Sequence, residues 1–222
     1  MTTLTTLPLA PLLERLFAEA DASEHALTEE MNRRAPDQRR ANRANYAAFY
    51  ASLKDHPLPV SRETGRLLYM LARAMRACTI VEFGTSFGIS TLHLAAALRD
   101  NGGGRLIGTE FEASKLARAR ANLEAGGVTD LVELRSGDAL DSLAHDLPAS
   151  IDFVLLDGAK ALYPAVLALL EERLHAGALV VADNADASPE YLARVRSGEH
   201  GYLSVPFADD VEVSVRTIGP IA

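Results

Sequence analysis

The sequence contains one cysteine and no tryptophan in 222 residues. A single thiol excludes a disulfide framework and any zinc cluster built on cysteines. Positive charge is also scarce: 22 Lys and Arg stand against 30 Asp and Glu, a net charge of -8, and no long basic run occurs. Phosphate backbones and anionic membranes both demand a cationic face, so neither nucleic acid nor a membrane is an expected partner. No apolar stretch approaches the roughly 20 residues that span a bilayer. Met1–Leu9 lacks the positive n-region and continuous h-region of a signal peptide. A cytoplasmic protein acting on a small molecule is the expectation. The histidines, His25, His56, His93, His145, His175 and His200, show no ligand spacing such as H-x-x-x-H, and His93 is expected to pack. Repeats and low-complexity segments are absent.

What is present is an ordinary globular composition, 48% hydrophobic and 23% charged, at a length that suits one large core with an appendage. The first 76 residues read as helices. Leu9, Leu12, Leu13, Leu16 and Phe17 recur at helical spacing, with Pro8 and Pro11 tolerable in a first turn. Asp37 is placed to cap a second long helix carrying Tyr46, Phe49, Tyr50 and Leu53, which Pro57-Leu58-Pro59 ends. Ser61 is placed to cap a third, with Leu67, Leu68, Leu71 and Met75 on its apolar positions.

From Cys78, expected as a buried and inert thiol, the pattern changes. Apolar runs at Thr79–Phe83, Arg105–Thr109, Leu131–Leu134, Ile151–Leu156 and Ala178–Ala182 read as strands. Helices are expected near Ile89–Leu98, Ala113–Ala125, Ala139–His145 and Tyr163–Leu174. Such alternation predicts parallel strands with right-handed crossovers and helices on both faces. Tyr202–Pro206 and Val211–Val215 are joined by four residues, too few for a crossover, and predict an antiparallel hairpin on the sheet edge. The fold class is therefore α/β: a doubly wound, mostly parallel, seven-stranded Rossmann-like sheet with a C-terminal hairpin and an N-terminal helical extension.

The first strand runs into Val81-Glu82-Phe83-Gly84-Thr85-Ser86-Phe87-Gly88-Ile89-Ser90-Thr91. Glycines at such a turn let the backbone approach a ligand, and the helix N-terminus beyond attracts an anionic group. A nucleotide dehydrogenase would want G-x-G-x-x-G, whereas Ser86 holds the middle position. Gly84-Thr85-Ser86-Phe87-Gly88 also spells the G-x-S-x-G nucleophile elbow, with Asp183 and His200 available as partners. That hydrolase reading meets two objections: the string follows the first strand of the sheet rather than a later one, and no His-Gly-Gly segment precedes it. A third reading draws on the other strand ends, where open α/β sheets bind ligands. Glu110 ends the second strand, where a carboxylate can accept ribose hydroxyls; Asp138 follows the third, placed to meet an adenine; Asp157 ends the fourth and Asp183-Asn184 the fifth. One such acid is as readily a helix cap; four in succession point to a shared site. Five parallel strands plus a terminal hairpin match a class I methyltransferase.

At these motifs the chain resembles the cation-dependent O-methyltransferases, the group of catechol and caffeoyl-CoA O-methyltransferases and their bacterial relatives. The resemblance runs from Pro59 to Arg216 and rests on Val81–Thr91, Gly108-Thr109-Glu110, Ser136-Gly137-Asp138-Ala139, Leu156-Asp157-Gly158-Ala159-Lys160 and Val181-Ala182-Asp183-Asn184. It implies a bacterial S-adenosylmethionine-dependent O-methyltransferase acting on a hydroxyl of a small, phenolic molecule. It further implies that Glu82, Gly84, Ser86 and Ser90 surround the methionine moiety of S-adenosylmethionine, that Glu110 holds the ribose, and that Asp138 and Ala139 meet the adenine. Asp157, which also borders the cofactor, would bind a divalent metal together with Asp183 and Asn184, and Lys160 would be the general base. Two carboxylates and an amide suit a hard cation such as Mg²⁺; a dication nearby lowers a lysine pKa. Residues 1–60 are expected as a helical lid and dimer region that does not fold independently, and 61–222 as the cofactor-binding domain, in a homodimer.

Departures and rivals stay open at this point. Gly158 and Ala159 stand where the catechol enzymes have bulky residues, so the wall those residues form is missing and aromatic preference is not inherited. Tyr163 is expected to pack. Arg33, Arg34, Arg39, Arg40 and Arg43 make the extension locally basic, which reads as a solvated helix surface. The alternatives are a metal-independent methyltransferase of the same fold, the serine hydrolase built on Ser86, and a non-enzymatic cofactor-binding regulator.

Overall fold

The computed structural model describes residues 1–35, 38, 41–208 and 210–217. Asp37, Arg39, Arg40 and Asp209 lie outside the described residues, so the expected Asp37 cap does too.

Helix α1 (Leu9–Arg33) buries Leu9, Leu12, Leu13, Leu16, Phe17 and Ala20, all from its first half. Helix α2 (Tyr46–Ala51) is six residues long, shorter than the long helix expected there. No residue of α2 is fully buried; only Tyr46 and Tyr50 pack partly against the core, and so small a packed face does not propagate a helix. Helix α3 (Arg62–Ala74) begins as its sequence predicts: the Ser61 side chain accepts from Thr64 N at 3.0 Å.

The remainder alternates. In chain order come β1 (Thr79–Phe83), α4 (Ile89–Asn101), β2 (Arg105–Glu110), α5 (Ala113–Ala125), β3 (Val132–Ser136), α6 (Ala139–Ser142) and β4 (Ile151–Leu156). Then follow α7 (Tyr163–Leu170), β5 (Leu174–Ala182), α8 (Pro189–Arg196), β6 (Tyr202–Phe207) and β7 (Val211–Arg216). All seven expected strands form. The helix after β3 stops at Ser142 instead of His145, and α7 stops at Leu170 because β5 already begins at Leu174. Helix α8 went unread, although Ser188-Pro189 is a plausible start, because eight residues with two buried positions leave too little periodicity.

The sheet order is β3-β2-β1-β4-β5-β7-β6. Strands β1 to β5 run parallel, while β7 pairs antiparallel with both β5 and β6. The hairpin is thus on the edge, as expected, with its second strand innermost. Strand order reverses where β1 lies between β2 and β4, and a crevice opens at the carboxyl ends of the strands at such a point. Both faces are covered. Val81, Ile107 and Val154 pack with Tyr163, Val166 and Leu167 on one side. Ile80, Leu106, Phe153 and Leu155 pack with Leu68, Leu94 and Leu98 on the other. Leu92, Ala95 and Ala96 of α4 meet Leu9, Leu13 and Leu16 of α1, so α4 is sandwiched and buries every residue from Ile89 to Leu98.

Two packing expectations divide. His93 is 3% exposed, contacts Ile89 O through Nδ1 at 2.8 Å and sits edge-on to Phe17, a packing residue as expected. Cys78 is exposed, contrary to the expected buried thiol. It precedes β1 by one residue, where its backbone N–H is held by Asp152 Oδ2 at 2.7 Å and its side chain points out of the core. Among the described residues no helix is long and apolar enough to cross a membrane.

Candidate active site

The glycine loop is shaped by what approaches it. Gly84 has φ +99°, and a Cβ there would stand 2.6 Å from the Asp157 carbonyl and Gly158 N. Only glycine lets the β1 and β4 termini touch in this way. Backbone N–H groups of Gly84 and Thr85 donate to Thr109 O at 3.3 and 3.0 Å, tying the loop to β2. Ser86 adopts φ 48°, a conformation uncommon for a side-chain-bearing residue. Beneath the loop Glu82 is fully buried and accepts hydroxyls from Thr85 at 2.9 Å, Ser90 at 2.7 Å and Thr91 at 2.5 Å. Burial pushes its carboxyl up to about 7, against the pull of those hydroxyls.

Above the loop lies a cleft of about 630 Å³ lined by Gly84, Ser86, Glu110, Lys115, Asp138 and Asp157, among others. Glu110 accepts the backbone N–H of Ser86 at 2.8 Å and of Glu112 at 2.9 Å, which aims its carboxylate along the cleft floor. Burial raises its pKa, with the backbone N–H groups of Glu112, Ser86 and Phe111 and the Lys115 charge opposing. Asp138 caps α6 by accepting Leu140 N at 2.8 Å and also accepts the Tyr46 hydroxyl. Ala139 is 5% exposed beside it. Tyr46, Tyr50 and Leu58 reach over from the N-terminal segment and roof this cleft.

A second, wider cleft of about 1630 Å³ adjoins the first. Its apolar wall comes from α1, α2 and the segment after them, including Phe17, Leu27, Met31, Phe49 and Leu53. Its polar wall holds Asp157, Lys160, Asp183, Asn184 and Asp210. Asp157 and Asp183 end the neighbouring strands β4 and β5, and their carboxyls are close enough to share a hydrogen bond. Burial, then the Asp157 charge, pushes Asp183 up to about 8. Lys160 Nζ donates to Asp157 Oδ1 at 2.9 Å. Burial pulls the Lys160 ammonium down, but the acidic groups around it, among them Asp157 and Asp183, outweigh that and hold it well above its ordinary value.

A hard cation fits this donor set. Two crowded, buried carboxyls, one of them holding a proton up to about pH 8, gather oxygen donors at one point, where a cation can stand in place of that proton. Asn184, at φ 46°, turns its amide nitrogen onto Asp210 Oδ2 at 2.9 Å, which assigns the amide nitrogen and leaves the oxygen unspent by that contact. Among the described residues no three His, Cys, Asp or Glu side chains gather as a metal cluster; the set consists of two carboxylates and an amide.

The structure therefore brings together Gly84, Ser86, Glu110, Asp138, Ala139 and Asp157 around one cleft, and Asp157, Lys160, Asp183 and Asn184 around the other. Glu82 and Ser90 face each other under the loop instead of lining the first cleft. Ser86 has Lys115 Nζ beside its hydroxyl at 3.4 Å. His200 precedes Tyr202, which pairs with Arg216, whereas the carboxyl rim is marked by the pairing of Ala182 with Glu212. Serine and histidine thus lie at opposite rims of the sheet, and a Ser86–Asp183–His200 triad does not assemble. Tyr163 is fully buried, donating to Asp183 O at 2.7 Å.

Sequence reasoning missed Tyr46, Tyr50, Phe83, Lys115 and Asp210. Phe83 answers the missing wall at Gly158: a Cβ on Gly158 would meet three Phe83 ring carbons at 2.5 to 2.7 Å. The ring occupies that space from a different strand and stands edge-on to Tyr163. Lys115 did leave a signal, since a cation in the first turn of a helix opposes the macrodipole. Of the extension's arginines, Arg34 is drawn inward, pairing with Glu30 at 2.6 Å and lying over Phe49. Arg43 reaches Ala161 O at 3.3 Å.

Comparison with known proteins agrees with this geometry. Residues 81–185 match a family model described as a methyltransferase domain. A catechol O-methyltransferase of Niastella koreensis is 34% identical over 130 residues, which is 57% of this chain and 58% of the relative. One from Mycobacterium tuberculosis is 34% identical over 127 residues, 57% of each chain. The match spans less than three fifths of these relatives' length. Among solved structures, the O-methyltransferase TomG of Streptomyces achromogenes, involved in tomaymycin synthesis and solved with SAM, superposes with a TM-score of 0.66. It is 29% identical, over 76% of this chain and 88% of that one. The family resemblance and the class I methyltransferase fold read from the motifs are both borne out.

Proposed function

We propose that this chain, built around the methyltransferase domain at residues 81–185, transfers a methyl group from S-adenosylmethionine to a hydroxyl of a small, catechol-like phenol, assisted by a divalent cation such as Mg²⁺. The observation that carries this reading is that two clefts share Tyr50, Leu58 and Asp157 as a common border. One offers acids and backbone suited to an adenosyl group. The other offers aromatic and apolar walls ending in an oxygen-rich centre. The catechol O-methyltransferases among the relatives and the SAM-bound neighbour support it.

In the first cleft Glu110 presents lone pairs to a ribose diol, and Asp138 with Ala139 meets the adenine. The Gly84–Ser86 backbone runs alongside the methionine end, kept in place from below by the Glu82–Ser90 contact at 2.7 Å. In the second cleft Phe49, Leu53 and Met31 hold the acceptor ring and exclude water. When bound by Asp157, Asp183 and Asn184, a divalent cation supplies the positive charge that acidifies an acceptor hydroxyl and competes with Lys160 for Asp157. Lys160, its hold on Asp157 loosened and its own proton given up to solvent, takes the hydroxyl proton at Nζ; the hydroxyl oxygen then bonds the methyl carbon as the sulfur–carbon bond breaks and S-adenosylhomocysteine leaves. Juxtaposition of donor and acceptor across the Asp157 border is worth up to about 7–11 kcal/mol of barrier reduction.

Methyl transfer from labelled S-adenosylmethionine to catechol tests the reading. Failure to methylate any hydroxyl acceptor, together with failure to bind S-adenosylhomocysteine, would refute it. A metal-free variant of the same reaction is favoured by one observation, the Lys160–Asp157 ion pair at 2.9 Å, which already neutralises one carboxylate. Full turnover after EDTA selects that variant. We also propose a homodimer. Its contact is assigned to the N-terminal helical segment, residues 1–60. Molar mass remaining that of one chain at high concentration removes the dimer.

A further inference from the structure

Lys115 is a cation in the first cleft that the reaction described above leaves without a task. Its residue is 4% exposed, yet its side chain lines the cleft. An ammonium carries three donors, and burying it with donors unspent is costly. Among the described residues Nζ has Ser86 Oγ as hydrogen-bond partner, at a long 3.4 Å, and the Phe87 ring centroid at 5.7 Å. Glu110, the neighbouring acid, has its two oxygens taken by backbone: Oε2 accepts Ser86 N and Oε1 accepts Glu112 N. Lys115 and Glu110 thus flank one stretch of cleft floor and attract each other across it, with no direct hydrogen bond between them.

A ligand group that fits between them must both donate to a carboxylate and accept from an ammonium. Hydroxyls do both, and a vicinal diol does so twice. We propose that Lys115 is a ribose-reading residue, whose ammonium donates to a hydroxyl oxygen of the same diol whose protons Glu110 accepts. The proposal rests on the adenosyl reading of this cleft. It makes the site selective for ribonucleoside over deoxyribonucleoside ligands through a reciprocal pair of charged partners. The position of Lys115 at the third residue of α5, unfavourable for the helix alone, is then accounted for by the ligand it meets.

The test is calorimetric binding of S-adenosylhomocysteine and its 2′-deoxy and 3′-deoxy analogues to the wild type, Lys115→Met and Lys115→Gln. A hydrogen bond from a charged group predicts that the wild type binds at least one deoxy analogue about ten-fold or more weaker than the parent. Lys115→Met is expected to bind the parent about ten-fold weaker and to lose most of that discrimination. Lys115→Gln, which keeps two donors without the charge, is expected to fall between; it carries the comparison if Lys115→Met fails to give a cooperative melt. A residue that merely props the loop would weaken all three ligands alike, so retained discrimination in both variants overturns the proposal. So does a wild type that binds the parent and both analogues equally. A wild type that binds none of them overturns the adenosyl reading itself.

Discussion

Glu82 and Asp183 are both buried acids, and they meet burial in opposite ways. Glu82 is surrounded by hydroxyls from Thr85, Ser90 and Thr91, whereas Asp183 faces a second carboxyl on Asp157. The first arrangement supports a loop; the second holds a proton up to about pH 8 at a point where a cation can take its place. Glu82 is raised from 4.5 to about 7 in the fold, so the folded chain binds its proton more tightly than the unfolded chain does. Its contribution is fully present below pH 4.5 and is lost as pH rises to about 7, a difference of about 3 kcal/mol. Glu82→Gln is expected to flatten stability against pH across that window, seen as a smaller change in urea midpoint between pH 4.5 and 7.5; an unchanged slope counts against this account. Lys160 belongs at this scale too. Lys160→Met should lower kcat by about 10²–10⁴-fold while leaving S-adenosylhomocysteine affinity within about two-fold, as measured by steady-state kinetics and calorimetry on the same preparation. Such a split was readable from Asp157-Gly158-Ala159-Lys160, because three residues after a strand end keep both groups on one rim. The hold that Asp157 exerts on the ammonium was not readable, since spacing says nothing about which oxygen the amine meets.

Among elements, those with a long period or a cap were legible, and those shaped by neighbours were not. Helix α3 starts at Ser61 because its hydroxyl satisfies Thr64 N at 3.0 Å; Ser61→Ala is expected to destabilise the protein by about 1 kcal/mol in chemical denaturation. The strands were found by composition, since a sheet covered on both faces demands continuous apolar runs. Helix α2 was overdrawn: its aromatics Tyr46, Phe49 and Tyr50 line the two clefts, with Tyr46 and Tyr50 only partly buried against the core, and periodicity does not distinguish the two uses. The turn after β4 shows the same limit. Gly158 looked like a wall removed, yet the Phe83 ring sits where its side chain would be. Gly158→Ala is therefore expected to displace that ring and cost about 1–3 kcal/mol, with weakened cofactor binding; a variant as stable as the parent would show the contact to be pliable.

For the molecule as a whole, the reversal of strand order at β1 gathers residues from five loops, and the N-terminal segment closes them over. A ligand bound across such a crevice stabilises the folded state alone. At a concentration about 100 times its dissociation constant, S-adenosylhomocysteine should add about 2.7 kcal/mol, or roughly 5–11 °C in melting temperature for a chain of this size. Mg²⁺ should add a separate increment that EDTA removes; absence of that increment favours the metal-free reaction. Sequence alone determined the strand–helix alternation, the terminal hairpin and the acids at the strand ends, because burial demands and turn chemistry are written into neighbouring residues. Tertiary structure alone decided what stands opposite those acids: Lys115 beside Ser86, Tyr46 on Asp138, Phe83 over Gly158, Glu82 beneath the loop rather than in the cleft, and Cys78 outside the core. Each of those contacts joins segments 29 to 92 positions apart, or turns on which way one side chain leaves a strand end. Close packing decides such matters, and no local pattern carries them.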